Sequence, residues 1–357
     1  MAALTYFAVP GWATTVVQQT ADDGAHGWEE TWRIGLSRGV SAEPMSVDSM
    51  LVIASLDRNL HAVVPGADPR VAWKKNMKGG FEAAPIALGD LLILAETGAQ
   101  GRLVAMLRDT RAEAWSIRLG DLVARPFVDG ERIYAVATSG RVAGVTARGV
   151  EQWRIELESR VVSSPLVLGD ALVLAATDGT LFALDPATGV VRERVDPGTG
   201  PIWGDAVVLE PPDGEPLAIY ATLSGQLFAV TSDLEVVARR SFPSRFFVGP
   251  RLDGSILYLS GHEGMIWAYE WGGAELRWQR ELPGVLRSRP AVHARGVAVG
   301  DLGGTLYILD RETGELRWHT RLDGAITASP LSEGSTVYVA TEQGSLYAFR
   351  PTTSASR

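Results

Sequence analysis

The sequence predicts an all-β fold: an eight-bladed β-propeller of four-stranded antiparallel blades, closed by an N-terminal strand that completes the last blade. Three residues recurring in phase carry that prediction. A proline falls at Pro44, Pro85, Pro126, Pro165, Pro250, Pro290 and Pro330, with Ala206 in the remaining place. A glycine follows, usually fourteen residues on, at Gly101, Gly140, Gly179, Gly225, Gly264, Gly304 and Gly344, with Asp57, Arg58 and Asn59 at the equivalent point of the first unit. A tryptophan closes most units, at Trp73, Trp115, Trp153, Trp278 and Trp318, replaced by Glu193 and Ala238 in the two middle ones.

Each of these residues suits a place in a small antiparallel sheet. A tight hairpin needs a positive φ, which glycine adopts without a Cβ clash and Asn tolerates. Strand-sized apolar runs flank the glycine, such as Ala171–Ala175 before it and Leu181–Leu184 after it. Four residues past it the side chain is small (Ala62, Ala105, Gly144, Ala183, Ala229, Ala268, Ala348), with Ile308 the exception, which predicts that two sheets approach closely there. Both faces of each sheet are apolar because each blade packs between two neighbours.

The chain ends predict the closure. Trp32 lies twelve residues before Pro44, the spacing of a fourth strand, but no three strands precede it. The eighth unit has three strands and no tryptophan after them. The segment Glu29–Gly35 therefore supplies the missing strand, and sealing the ring removes an edge that would invite aggregation. The expected organisation is an extension over 1–28, one propeller over 29–350 and a tail over 351–357.

The run Gly304-Thr-Leu-Tyr-Ile-Leu-Asp-Arg-Glu-Thr-Gly-Glu-Leu-Arg-Trp318 resembles the pyrroloquinoline-quinone (PQQ) propeller repeat, and Gly179-Thr-Leu-Phe-Ala-Leu-Asp-Pro-Ala-Thr-Gly189 is similar. The likeness covers residues 29–350. Proteins with this repeat include quinone-dependent dehydrogenases and BamB-type outer-membrane protein assembly factors, which are eight-bladed propellers without catalysis or cofactor. The regular unit length and the absence of a cysteine pair favour the second group. The resemblance thus implies a non-catalytic protein-binding scaffold of the bacterial cell envelope, periplasmic and monomeric, acting in outer-membrane protein assembly. The alternatives are a PQQ-dependent oxidoreductase and a soluble regulatory propeller module, the latter cytoplasmic. The assembly factors carry a lipidated cysteine after a signal peptide, and neither is visible here.

Composition excludes several classes of function. With 46% apolar and 21% charged residues the chain is a folding one. A net charge of -9 argues against a nucleic-acid partner, which needs a concentrated basic surface. No cysteine is present, so disulfides and thiol chemistry are excluded. Leu4–Val17 is too short to span a bilayer and is broken by Pro10 and Gly11. The five histidines fall at unrelated points of the repeat, and no nucleophile elbow, phosphate loop or calcium loop occurs, so no catalytic, cofactor or metal site is expected. Asp185 and Asp310 sit beside Thr-Gly turns and read as turn-fixing residues.

Two binding regions are expected. The stretch from Arg239 to Arg251 combines arginines with aromatics, the composition of interfaces, and makes Arg239, Arg240, Arg245, Phe246 and Phe247 the candidate partner-binding residues. The competing reading is that Phe246 and Phe247 begin an inner strand and are buried. Of the tryptophans out of phase, Trp12, Trp28, Trp203, Trp267 and Trp271, some are candidate surface anchors. The position before each proline reads Glu43, Ala84, Arg125, Ser164, Asp205, Gly249, Arg289 and Ser329. If it faces the axis, Glu43, Arg125, Asp205 and Arg289 line a channel with alternating charge; otherwise these side chains point between blades.

Overall fold

A computed structural model describes residues 27–352 except 37, 212, 213 and 274. The expected extension before residue 27, Trp12 with it, and the tail from residue 353 lie outside the described residues. The described chain forms eight four-stranded antiparallel sheets arranged as an eight-bladed β-propeller. No helix among the described residues is long and apolar enough to cross a membrane.

Blade 1 shows the common plan: Met45–Val47 nearest the axis, then Met50–Ala54, Asn59–Val64 and Arg70–Asn76 outward. The innermost strands of blades 2 to 8 are Ile86–Leu88, Phe127–Asp129, Leu166–Leu168, Val207–Leu209, Arg251–Asp253, Ala291–His293 and Leu331–Glu333. Every one begins directly after the recurring proline or its replacement Ala206. Proline suits that place because it is the last loop residue before a strand and gives up no ladder hydrogen bond there.

The second and third strands form the core. Met50–Ala54 and Asn59–Val64 are almost wholly buried, and so are their counterparts in every blade. The core is divided into eight clusters, each drawn from the facing sides of neighbouring blades, as with Tyr134, Trp153, Leu172 and Phe182 from blades 3 and 4. The ring closes as the chain ends predict: Trp28–Gly35 pairs antiparallel with Ser345–Pro351, from Trp28 opposite Pro351 to Gly35 opposite Ser345.

In the six blades that carry the tryptophan, it lies opposite the residue four past the recurring hairpin position, which is small in all but one. Ala62 faces Trp73, Ala105 Trp115, Gly144 Trp153, Ala268 Trp278, Ile308 Trp318 and Ala348 Trp32. The space is therefore filled within one sheet: a Cβ on Gly144 would stand 2.4 Å from the Trp153 ring. A bulge follows directly in all eight blades, between Ala62 and Val63 in blade 1 and between Glu30 and Trp32 at the closing strand. An extra residue there tightens the local twist and turns the indole toward the next blade.

The turn before each outer strand receives that indole. Asp185 Oδ1 accepts the N–H groups of Ala187 and Thr188 at 3.0 and 2.9 Å, and Asp310 Oδ1 those of Glu312 and Thr313 at 2.9 and 2.8 Å. These aspartates fix the Thr-Gly turn, as their sequence position indicates. Across the seam, Trp115 Nε1 donates to Ala147 O at 2.9 Å, Trp153 Nε1 to Pro186 O at 3.0 Å and Trp278 Nε1 to Arg311 O at 2.9 Å.

Candidate functional site

The loops entering the blades meet the axis with a fixed alternation of side chains. Four residues before the proline position the side chain is apolar and buried in all eight units: Val40, Phe81, Leu122, Val161, Ile202, Phe246, Leu286 and Ile326. Three before it, and again one before it, the side chains line one axial cavity of about 460 Å³. All eight residues that precede the proline position are in its wall, among them Glu43, Arg125, Asp205 and Arg289.

These four charges are not arranged as an even alternation. Glu43 is shared by two guanidinium groups: its Oε2 takes Arg289 Nη2 and its Oε1 takes Arg251 Nη2, each at 3.1 Å. Asp205 Oδ1 instead accepts the backbone N–H of Ser164 at 2.6 Å, which ties blade 4 to blade 5. Ser164 and Ser329 do the same for the N–H groups of Arg125 and Arg289, at 3.1 and 3.2 Å. Short polar side chains thus satisfy the neighbouring backbone around the axis. Among the described residues the Arg125 side chain reaches only Pro85 O, at 3.4 Å.

Arg251 escapes a reading centred on the residue before the proline. Its signal is one place after the proline: Met45, Ile86, Phe127, Leu166, Val207, Ala291 and Leu331 are apolar, and Arg251 alone carries a charge. Burial pushes the Arg251 pKa down and Arg289 adds repulsion, while Glu43 pulls it back up.

The expected partner-binding residues do not form one patch. Arg239 and Arg240 lie on the peripheral strand Val236–Ser241 of blade 5, where Arg239 Nη2 donates to Pro197 O and Arg240 stacks over Tyr269 of blade 6. Phe246 is wholly buried against Phe242 and Trp267, so it is core and not contact surface. Phe247 lines the channel, whereas Arg245, exposed on the same loop, pairs with Glu263 of the blade-6 hairpin. Phe246 and Phe247 belong to the loop, since the inner strand begins only at Arg251.

That rim carries a cluster drawn from three successive blades. Trp203, Phe247 and Arg287 occupy the same loop position in blades 5, 6 and 7. Trp203 packs edge-on against Phe247 with ring centroids 6.0 Å apart, and Arg287 sits 4.2 Å over the Phe247 ring. Trp203 is 41% exposed, and Val285 and Leu302 beside them are exposed as well. Of the remaining tryptophans out of phase, Trp28 and Trp267 are buried and Trp271 is partly buried against the blade-6 core. Reading down the third position before the proline would have picked out this cluster. Arg245 adds charge, paired with Glu263 at 2.7 Å. Among the described residues, no three His, Asp or Glu are grouped to hold a metal.

The family profile described as "Outer membrane protein assembly factor BamB" matches residues 13–118, 108–195 and 262–355. The chain belongs to this family. The BamB of Burkholderia pseudomallei (strain K96243) is 31% identical over 129 residues, a stretch that spans 35% of this chain and 33% of that relative's length. The crystal structure of BamB from Moraxella catarrhalis covers 90% of this chain and 99% of its own, with a TM-score of 0.74 at 18% identity. The quinohemoprotein alcohol dehydrogenase ADHIIG of Pseudomonas putida HK5 superposes with a TM-score of 0.73 at 12% identity, over 90% of this chain and 76% of that one. At these identities both superpositions speak for the fold alone. The BamB profile leaves residues 196–261 unmatched, which is where Trp203, Arg245 and Phe247 lie.

Proposed function

We propose that this BamB-family chain is a non-catalytic protein-binding scaffold of the bacterial cell envelope that serves outer-membrane protein assembly. The observation that carries this reading is the rim cluster of Trp203, Phe247 and Arg287, flanked by Val285 and Leu302. An exposed Trp set edge-on against a Phe that is capped by Arg, on a rigid ring, has the composition of a binding hot spot. Its loops are held by a repeated hydrogen bond, Leu223, His262 and Leu302 N–H donating to Pro201, Arg245 and Val285 C=O at 2.9, 2.9 and 3.0 Å. Little ordering is then left for a partner to impose. The relatives' name supplies the process; the rim supplies the means.

A photo-crosslinking residue at position 203, compared with one at exposed position 78 in the loop entering blade 2, across the ring, tests this in envelope preparations. The expected result is a crosslink from position 203 to an outer-membrane assembly component, lost with Phe247→Ala and Arg287→Ala. Equal labelling from both positions, or saturable uptake of pyrroloquinoline quinone with dye reduction, would overturn it.

A further inference from the structure

We infer that the axial channel binds a small multivalent oxyanion, carboxylate or phosphate, on the guanidinium groups of Arg125 and Arg289. Its residues share the axial cavity with the rim cluster but are different ones, and the inference does not rest on the scaffold reading.

The acceptors and donors in the channel wall are unequally committed. On the acid side, both Glu43 oxygens are taken by Arg251 and Arg289. Asp205 holds the Ser164 N–H, and Asp121 holds the Gly98 N–H at 2.6 Å and the Thr138 hydroxyl at 3.3 Å. Burial, with Asp121 beside it, pushes the Glu82 carboxyl up, toward its neutral form. On the basic side, Arg125, Arg160, Arg287 and Arg289 line the cavity, and the single carboxylate of Glu43 is shared by Arg289 and by Arg251 beside it. Arg125 has five N–H donors, one long contact to Pro85 O, and no ion pair among the described residues.

Electrostatics points the same way. Arg125 opens onto the cavity yet is deep in protein; burial pushes its pKa down, and Arg289 pushes further against Glu43 and Asp205. An anion placed between Arg125 and Arg289 would relieve that repulsion. The planar fork of guanidinium matches carboxylate and phosphate oxygens with paired hydrogen bonds. The cavity of about 460 Å³ falls within the range of small-molecule sites, and it continues past Glu43 into a second recess of about 340 Å³ lined by Ser46 and Glu333. The chain as a whole is acidic, so this concentration of cations at the axis is a local feature.

Isothermal titration of the full chain with citrate, and separately with inorganic phosphate, at low ionic strength tests the inference and tells the two chemistries apart. At least one is expected to bind saturably and to weaken as sodium chloride is raised. Arg125→Gln is expected to weaken binding about tenfold or more, the loss of one guanidinium–oxyanion pair, with an unchanged melting temperature. Glu43→Gln, which releases Arg251 and Arg289 from their internal carboxylate, is expected to tighten it. No saturable heat with either anion in the parent chain, or equal affinity in a folded Arg125→Gln, would overturn the site. Crosslinking from position 203 reads the scaffold role independently of either result.

Discussion

The indole of Trp278 in blade 6 lies against Gly314 in the turn of blade 7 and donates its N–H to Arg311 O at 2.9 Å. A Cβ on Gly314 would come within 2.5 Å of the Trp278 ring, and the glycine holds φ at +68°. Trp115 with Gly149 and Trp153 with Gly189 repeat the arrangement, so tryptophan and Thr-Gly turn are two halves of one joint between blades.

Trp278→Ala is expected to destabilise the ring by about 3–5 kcal/mol through the lost ring and the cavity left behind. Trp278→Phe keeps much of the packing but strands the Arg311 carbonyl, for a cost of about 1–3 kcal/mol. Gly314→Ala combines left-handed backbone with the clash and is expected to cost a similar amount, about 1–3 kcal/mol. Denaturant melts of the three variants check the order.

The closing strand allows a truncation test. A chain beginning at residue 41 loses Trp28–Gly35, whereas one beginning at residue 27 keeps it. The shorter chain is expected to melt about 10 °C lower or more, since each kcal/mol is worth about 2–4 °C in the larger domains. Equal melting temperatures would contradict closure by that strand.

Between its second and third strands blade 2 has a longer hairpin than the other blades, and a buried ion pair anchors it. Arg102 Nε meets Glu96 Oε2 at 2.6 Å, with the two side chains 9% and 1% exposed, and Nη1 reaches Glu113 at 3.0 Å. Arg102→Met strands a buried carboxylate and is expected to cost about 3–5 kcal/mol. The double variant with Glu96→Gln should recover part of the loss, which a double-mutant cycle would read as coupling.

Acid should weaken the rim around Glu263. Burial acts to raise this carboxyl, but hydrogen bonds from the Ser244 hydroxyl and from the guanidinium and backbone of Arg245 overcome it and hold the pKa down to about 2. The ordinary value is 4.5, so the folded state binds fewer protons in between. The stabilisation is complete above the ordinary value and is lost as pH falls toward the folded one. With its side chain 41% exposed, Glu263 delivers only a screened fraction of the full linkage. Glu263→Gln is expected to flatten the acid side of a stability profile taken from about pH 5 to about pH 2.

The repeat was legible because its landmarks answer to local chemistry. A hairpin demands glycine and a strand entrance accepts proline whatever surrounds them, so the phase of Pro290, Gly304 and Trp318 fixes one blade and its neighbours. The site was legible only in part. Arg125 and Arg289 could be placed at the axis by phase alone, but the partners of Glu43 depend on how far arginines reach across the channel. Composition drew Phe246 and Phe247 together as one surface, whereas successive loop residues point to opposite sides and send the first inward. Trp203, Phe247 and Arg287 are 44 and 40 positions apart in turn, and only the stacking of successive blades makes them neighbours.

Closure also sets an order of events for a chain made from its N-terminus. Trp28–Gly35 is among the first strands to be synthesised, but its partner Ser345–Pro351 is among the last. Blades 1 to 7 can assemble one upon another as they emerge, each by contacts close in sequence. The eighth waits for a meeting of segments separated by almost the entire propeller, the most non-local step the fold contains. Until then the nascent ring is an open arc with two unpaired edges, vulnerable to wrong pairing. Once the ring is sealed, neither end can fray without parting the other, so the same strand that makes folding slow makes the finished ring hard to unzip.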